Sequence, residues 1–163
     1  MQIRICSCEF DKETGTTTAI ARTPIGDFTG IAKFNDEKDP FEPSKIVGMN
    51  IAESRACIAA YNEAIRLKRA QIKGLNRLIG SCGEENKSAI CHYANQVINS
   101  IKFEIVCLKA DKASYQEVIN KYKEARMIYL RSRTTDRKEK EQYLERIKQG
   151  FKDLGQISSK ESE

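Results

Sequence analysis

Two groups of side chains in this sequence carry chemistry suited to holding an anion or a base. Arg55, Tyr61 and Asn62 stand close together, with Arg66, Lys68 and Arg69 just after them. Farther on, Arg126, Tyr129, Arg131 and Arg133 gather over a short stretch. Arginine offers a planar fork of donors for phosphate, tyrosine a flat face for a base, and asparagine an edge that matches adenine. Arg55, Tyr61, Asn62, Arg126 and Arg131 are therefore the candidate ligand-binding residues. The same residue types also decorate any solvated helix face, which is the plainer explanation of them.

Groups fit for catalysis are harder to find. The single histidine, His92, stands beside Tyr93, and a lone histidine is more often structural or solvent-facing than a general base. There is no glycine-rich phosphate loop and no Gly-x-Ser-x-Gly elbow. Carboxylates interleave with lysine and arginine, as in Glu139-Lys140-Glu141, which is the pattern of a solvated helix surface. Neither an enzyme nor a cofactor is expected. Six cysteines (Cys6, Cys8, Cys57, Cys82, Cys91 and Cys107) lack the paired spacing of a zinc site. They read as free thiols buried at apolar positions, so neither metal nor disulfide is expected.

These residues need elements to position them. The 163 residues suffice for one domain of ordinary size, and 31% of them are charged, which suits a folded chain with much exposed helix surface. All three prolines (Pro24, Pro40 and Pro43) fall within the first 43 residues, so nothing of that kind interrupts a helix afterwards. Residues 1–36 read as a β-module. Ile3–Phe10 alternates roughly, Lys12–Gly15 is turn material, Thr16–Arg22 is β-branched, and Pro24–Asp27 turns into a third strand. A three-stranded meander is marginal alone and needs something to pack on.

Helices supply it. Asp39 and Glu42 fit a capping box, and a helix over 43–80 is expected to start near Pro43. Ile51, Ile58, Ile65, Ile72 and Ile79 recur every seven residues, the seam of a coiled coil or an antiparallel helix pair. The companion positions Ser54, Tyr61, Lys68 and Leu75 are mixed. Gly48 weakens a helix by about 1 kcal/mol against alanine, which points to a close backbone approach there. Gly80–Gly83 ends the helix. A second follows over 87–130, stepping through Ile90, Ala94, Val97, Ile101, Ile105 and Leu108. Arg131–Asp136 reads as a basic break with a new cap, a third helix over 136–155 carries Leu144, Ile147, Phe151 and Leu154, and 156–163 reads as a frayed tail. The class is α+β: an N-terminal three-stranded antiparallel β-module, then long antiparallel, coiled-coil-like helices.

A net charge of +5 is modest and by itself argues weakly for any polyanion, so nucleic acid is not an expected partner. No apolar run approaches the ~20 residues of a membrane span, and the opening Met-Gln-Ile-Arg-Ile-Cys has no signal-peptide core. The expected compartment is the cytosol, that of the host cell for a phage-encoded chain. An isoleucine seam longer than one meander can cover implies a homo-oligomer, a dimer or higher.

One stretch resembles a known family. Phe28-Thr29-Gly30-Ile31-Ala32-Lys33, then Asp39-Pro40-Phe41, Gly48, Ile51-Ala52-Glu53 and Arg55-Ala56 follow the order seen in the first family of phage Thoeris anti-defense proteins. The resemblance covers roughly residues 28–70, together with the layout of a β-module before long helices. It implies a non-enzymatic sponge that binds cyclic ADP-ribose isomers made by host TIR-domain enzymes. It also implies a site for cyclic oligonucleotide signals in a higher oligomer, and a ligand role for Arg55. The region from Gly80 onward is longer than the family pattern. The competing reading is a helical assembly or interaction protein with no small-molecule ligand.

Overall fold

Threonine and isoleucine alternate with alanine along β2, Thr16–Thr23, and this strand forms the centre of an antiparallel sheet ordered β1-β2-β3, with β1 at Arg4–Asp11 and β3 at Gly26–Lys33. The computed structural model describes residues 1–35, 38, 44–83 and 87–160, with side chains at all of these except 87, 136–141 and 143–160. Each turn has its own chemistry. Asp11 Oδ1 accepts from the amides of Glu13 (2.9 Å) and Thr14 (3.4 Å), and its other oxygen accepts from the Thr14 hydroxyl at 2.6 Å. Gly15 then takes φ 61°, the left-handed conformation that glycine adopts without penalty. At the second turn the Thr23 hydroxyl donates to the Gly26 carbonyl (2.9 Å) and accepts from the Ile25 amide (3.2 Å). The register slips between Ile5 and Ser7, leaving Cys6 as a bulge.

Alternation decides which sheet face is covered. Thr17, Ala19, Ala21 and Thr23 of β2 and Gly30 and Ala32 of β3 are buried, while their strand neighbours are not. Helix α1, Lys45–Ser81, lies on that face. It is capped by Ser44, whose hydroxyl accepts from the Val47 amide at 3.4 Å. The expected capping box of Asp39 and Glu42 and the start at Pro43 lie outside the described residues. The covered sheet face carries no large side chain at its centre, and α1 answers in kind with Gly48, Ala52 and Ala56, each four residues apart. A Cβ at Gly30 would sit 2.0 Å from the Ala52 carbonyl oxygen and 2.4 Å from the Ala56 nitrogen; one at Gly48 would sit 2.1 Å from Thr17 Oγ1. Gly48 thus marks a close approach to the sheet, as its place in a helix suggests.

Helix α2, Lys87–Lys160, returns along α1 and packs on it rather than on the sheet. Tyr61, Ala64, Ile65, Ile101, Ile105 and Leu108 form the core between the helices, flanked by Ile3, Ile72, Leu75, Val97 and Tyr115. A second cluster, Ala19, Ala32 and Ala52 with Cys8 and Ile51, joins α1 to the sheet. The isoleucine seam therefore divides: Ile51 faces the sheet, and Ile65 and Ile72 meet α2 of the same chain. These three isoleucines are met within their own chain.

The expected break at Arg131–Asp136 is absent, and one helix of about 110 Å runs where two, over 87–130 and 136–155, were read. The segment holds neither glycine nor proline. Its hydroxyls turn back into the helix: Ser132 donates to the Tyr129 carbonyl (2.8 Å), Thr134 to Leu130 (2.9 Å) and Thr135 to Arg131 (3.1 Å). Side chains used this way cannot cap a new helix. Helix also continues through Lys160, past Gln156 where a frayed tail was read; residues 161–163 lie outside the described set.

Candidate functional site

Spacing of seven, four and three residues puts Arg55, Asn62, Arg66 and Arg69 on one stripe of α1, and all four are exposed. Lys112 of α2 donates to Asn62 Oδ1 at 3.1 Å. This contact fixes which side of α2 borders the stripe. Lys102 and Lys109 precede Lys112 by ten and three residues and so share its side of the helix. One long edge of the helical hairpin is consequently basic, built from Arg55, Arg66, Arg69, Lys102, Lys109 and Lys112 with Asn62 among them. Two of these cations are partly spoken for. Arg66 grips Glu63 through both carboxylate oxygens (2.7 and 2.6 Å). The Arg55 guanidinium donates to the Ile31 carbonyl of the edge strand β3, tying α1 to the sheet, and the residue is otherwise exposed.

Tyr61 has a different place from the one its neighbours suggest. It is 5% exposed, in the core between the helices, with its ring 5.9 Å from that of Tyr115 and tilted by 36°. Burial, then the nearby Asp111 carboxylate, pushes its phenol pKa up. Tyr115 is raised by burial and by its Cys57 neighbour, and the Cys57 thiol is raised by burial against the pull of a hydrogen bond to Tyr115. Tyr61 presents no face to solvent; what it does is hold the turn of α1 that carries Asn62 against α2.

The second candidate group lies farther along. The Asn62–Lys112 and Lys68–Glu104 (2.5 Å) contacts make the helices antiparallel, so Arg126 and Arg131 lie toward the start of α1. They fall about 10 and 18 Å beyond the level of Arg55 along the axis. Arg126 is half-buried and Arg131 exposed. The guanidinium of Arg133 sits 5.7 Å from the Tyr129 ring centroid, so that ring stacks within its own helix. The structure thus brings Arg55 and Asn62 together, turns Tyr61 away, and sets Arg131 apart. Sequence reasoning missed Lys112, which only the register of the hairpin reveals. It named Arg66 and Arg69 without reading the seven-four-three spacing that joins them to Arg55.

Other chemistry is sparse. His92 is exposed, its Nε2 3.0 Å from the Gln96 amide nitrogen. All six thiols are free in the structure; only Cys57 is buried, against the expectation of burial throughout, while Cys6 and Cys107 are exposed. Among the described residues, no three of histidine, cysteine, aspartate and glutamate cluster in a way that could hold a metal ion, and no helix is long and apolar enough to cross a membrane. No protein-family model, curated protein or solved structure matches the chain.

Proposed function

We propose that this chain is a non-enzymatic binding protein that sequesters cyclic nucleotide immune signals, cyclic ADP-ribose isomers first and cyclic oligonucleotides second, and does so as a homo-oligomer in the cytosol. The observation that carries the reading is the basic edge along which Arg55, the Asn62–Lys112 pair, Arg66 and Arg69 follow one another. A cyclic ADP-ribose presents a pyrophosphate, ribose hydroxyls and a purine. Arg55 supplies forked donors and Lys112 a point charge for the pyrophosphate, and Asn62 an amide for a hydroxyl or the purine edge. The resemblance of residues 28–70 to the Thoeris anti-defense sponges supports the same ligand class. Retention without turnover needs only complementarity to the ground state.

Calorimetry of the full chain against cyclic ADP-ribose isomers tests this. Micromolar or tighter binding is expected, with the ligand recovered intact by mass spectrometry after heat release. Arg55→Ala is expected to weaken binding about ten- to a hundredfold. Because Arg55 also ties α1 to β3, the loss counts only if Lys112→Ala, which leaves that tie in place, weakens binding too. No heat with any isomer, or breakdown of the ligand, overturns the proposal. A helical assembly protein without a small-molecule ligand is the second reading, favoured by the exposed apolar side chains of α2.

A further inference from the structure

The core between the helices thins out toward the closed end of the hairpin, and two cysteines stand there. The buried cluster of Tyr61, Ala64, Ile65, Ile101, Ile105 and Leu108 is flanked on that side by Ile72, Leu75 and Val97. Beyond them Ile79 and Ile90 are only half-buried, while Leu78 is 54% and Tyr93 70% exposed. A Cβ added at Gly74, Gly80 or Gly83 would meet nothing within 4 Å. Apolar packing is therefore weakest where the chain turns from α1 into α2.

Cys82 and Cys91 occupy this end, and two independent features of the hairpin pair them. The first is position around each helix. Tyr61, Lys68 and Leu75 recur every seven residues on the side of α1 that meets α2, and Cys82 is next in the series. On α2, Ile105 and Ile98 are buried seven residues apart, and Cys91 stands seven before Ile98. The second is level along the axis. Cys57 bonds to Tyr115, Asn62 to Lys112 and Lys68 to Glu104, so each step up α1 is matched by an equal step down α2. Continued in that register, residue 82 comes level with 91. The other two cysteines of the helices have no thiol opposite: Cys57 has Tyr115, and Cys107 comes level with Arg66. Cys82 and Cys91 are both half-buried, open to a small reagent as the buried Cys57 is not. Cys82 has the extended backbone of a C-cap (φ −74°, ψ 134°) and turns its thiol back to the Leu78 carbonyl at 3.1 Å. Rotation about χ1 releases it.

We propose that Cys82 and Cys91 are a dithiol site that closes to an intramolecular disulfide by exchange with a low-molecular-weight disulfide, locking the end of the hairpin. One cysteine thiolate attacks a sulfur of the reagent and expels its other half. The second cysteine attacks the mixed disulfide and expels the rest. Two protein thiols become one disulfide, two electrons pass to the reagent, and its halves leave as two thiols carrying the two protons. The form with six free thiols is the reduced one. The tie restrains the turn where packing does not, and it is independent of the nucleotide ligand proposed above.

The full chain, reduced and then freed of reductant, is titrated with oxidised glutathione at fixed reduced glutathione, blocked with an alkylating agent and digested with trypsin. Cleavage after Lys87 separates the two cysteines, so the bond is expected to hold peptides 78–87 and 88–102 together. Half-closure is expected at a concentration of oxidised glutathione at least about tenfold lower in buffer than in urea. The closed form is expected to melt several degrees above the reduced one. Cys82→Ser and Cys91→Ser should each abolish that rise and leave the remaining thiol as a mixed disulfide. Absence of the joined peptides while Cys107 is taken up as a mixed disulfide overturns the proposal. So does closure as easy in urea as in buffer, which nearness in sequence alone would explain, or a closed form that melts no higher than the reduced one.

Discussion

Gly48→Ala is expected to destabilise this protein, although the same change at an unencumbered helix position adds about 1 kcal/mol of stability. The new Cβ would lie 2.1 Å from Thr17 Oγ1 and 3.1 Å from Thr17 Cβ. Thr17 cannot yield. It is fully buried in the central strand, with sheet neighbours Phe10 and Ala32 on either side. Forcing an extra methyl into such a site costs roughly 1–3 kcal/mol, and a contact this short against an unyielding strand belongs at the upper end, so a net loss of up to about 2 kcal/mol remains after the propensity gain. Thr17→Ala should reverse the effect. It deletes the colliding oxygen and leaves a Cβ pair at 3.1 Å, tight but within reach of a small shift. It also removes a hydroxyl that is buried without a hydrogen-bond partner among the described residues, a group whose desolvation costs about 1–3 kcal/mol. The double variant is therefore expected to be at least as stable as the parent, with a coupling of about 1.5 kcal/mol or more in the cycle. Urea unfolding of the four proteins measures this, provided the slope m stays constant. A Gly48→Ala variant as stable as the parent, or single effects that merely add, would refute the close approach of α1 to β2.

Gly30→Ala should be worse, by about 3 kcal/mol or more, because its Cβ meets the backbone of Ala52 and Ala56 and no side-chain truncation on α1 makes room; the same urea titrations should show no partial rescue by Thr17→Ala. Alkaline stability should fall in a defined window. Tyr61, Tyr115 and Cys57 all have pKa values raised by burial. Their contribution is thus full below the ordinary thiol and phenol values, near 9 and 10, and is lost as pH rises through the raised folded values. Melting curves between pH 8 and 11 should show the drop, and Tyr115→Phe should lessen it; a flat profile would mean the cluster is wet. Reducing agent should leave the melting temperature unchanged, since all six thiols are free, and a fall of several degrees would reveal a disulfide.

How much of this was legible beforehand varies with how local the determining physics is. The sheet was readable because strand alternation, the Gly15 turn and the two-residue Pro24-Ile25 turn are decided within a few residues. The end of α1 near Gly80 and the close approach at Gly48 were readable for the same reason. The break at Arg131–Asp136 was misread because serine, threonine and aspartate serve a helix end and a helix surface equally well; only the direction of their hydroxyls separates the two. The Gly48-Ala52-Ala56 ladder stood in the sequence unread, since alanine is compatible with either a buried or an exposed face. Tyr61 reads as a ligand residue because its ring offers a flat face for a base beside Arg55 and Asn62. Yet Tyr61 and Asn62 are 100° apart on the helix, and one turned to α2 while the other stayed in solvent.

That one-residue difference bears on the function as well as on the fold. The Arg55 guanidinium donates to the β3 carbonyl of Ile31, and on the proposed reading the same group would also take an incoming phosphate, which would couple ligand affinity to sheet attachment through a single side chain. Asn62 and Lys112 are joined to each other and to no sheet atom, and they report on the basic edge alone. If a nucleotide engages this edge, its phosphate competes with the Ile31 carbonyl for Arg55 donors, and protection of the β3 amides from hydrogen exchange should change on binding. If the edge is only a solvated face, the Arg55 tie persists whatever nucleotide is added, and that protection stays constant.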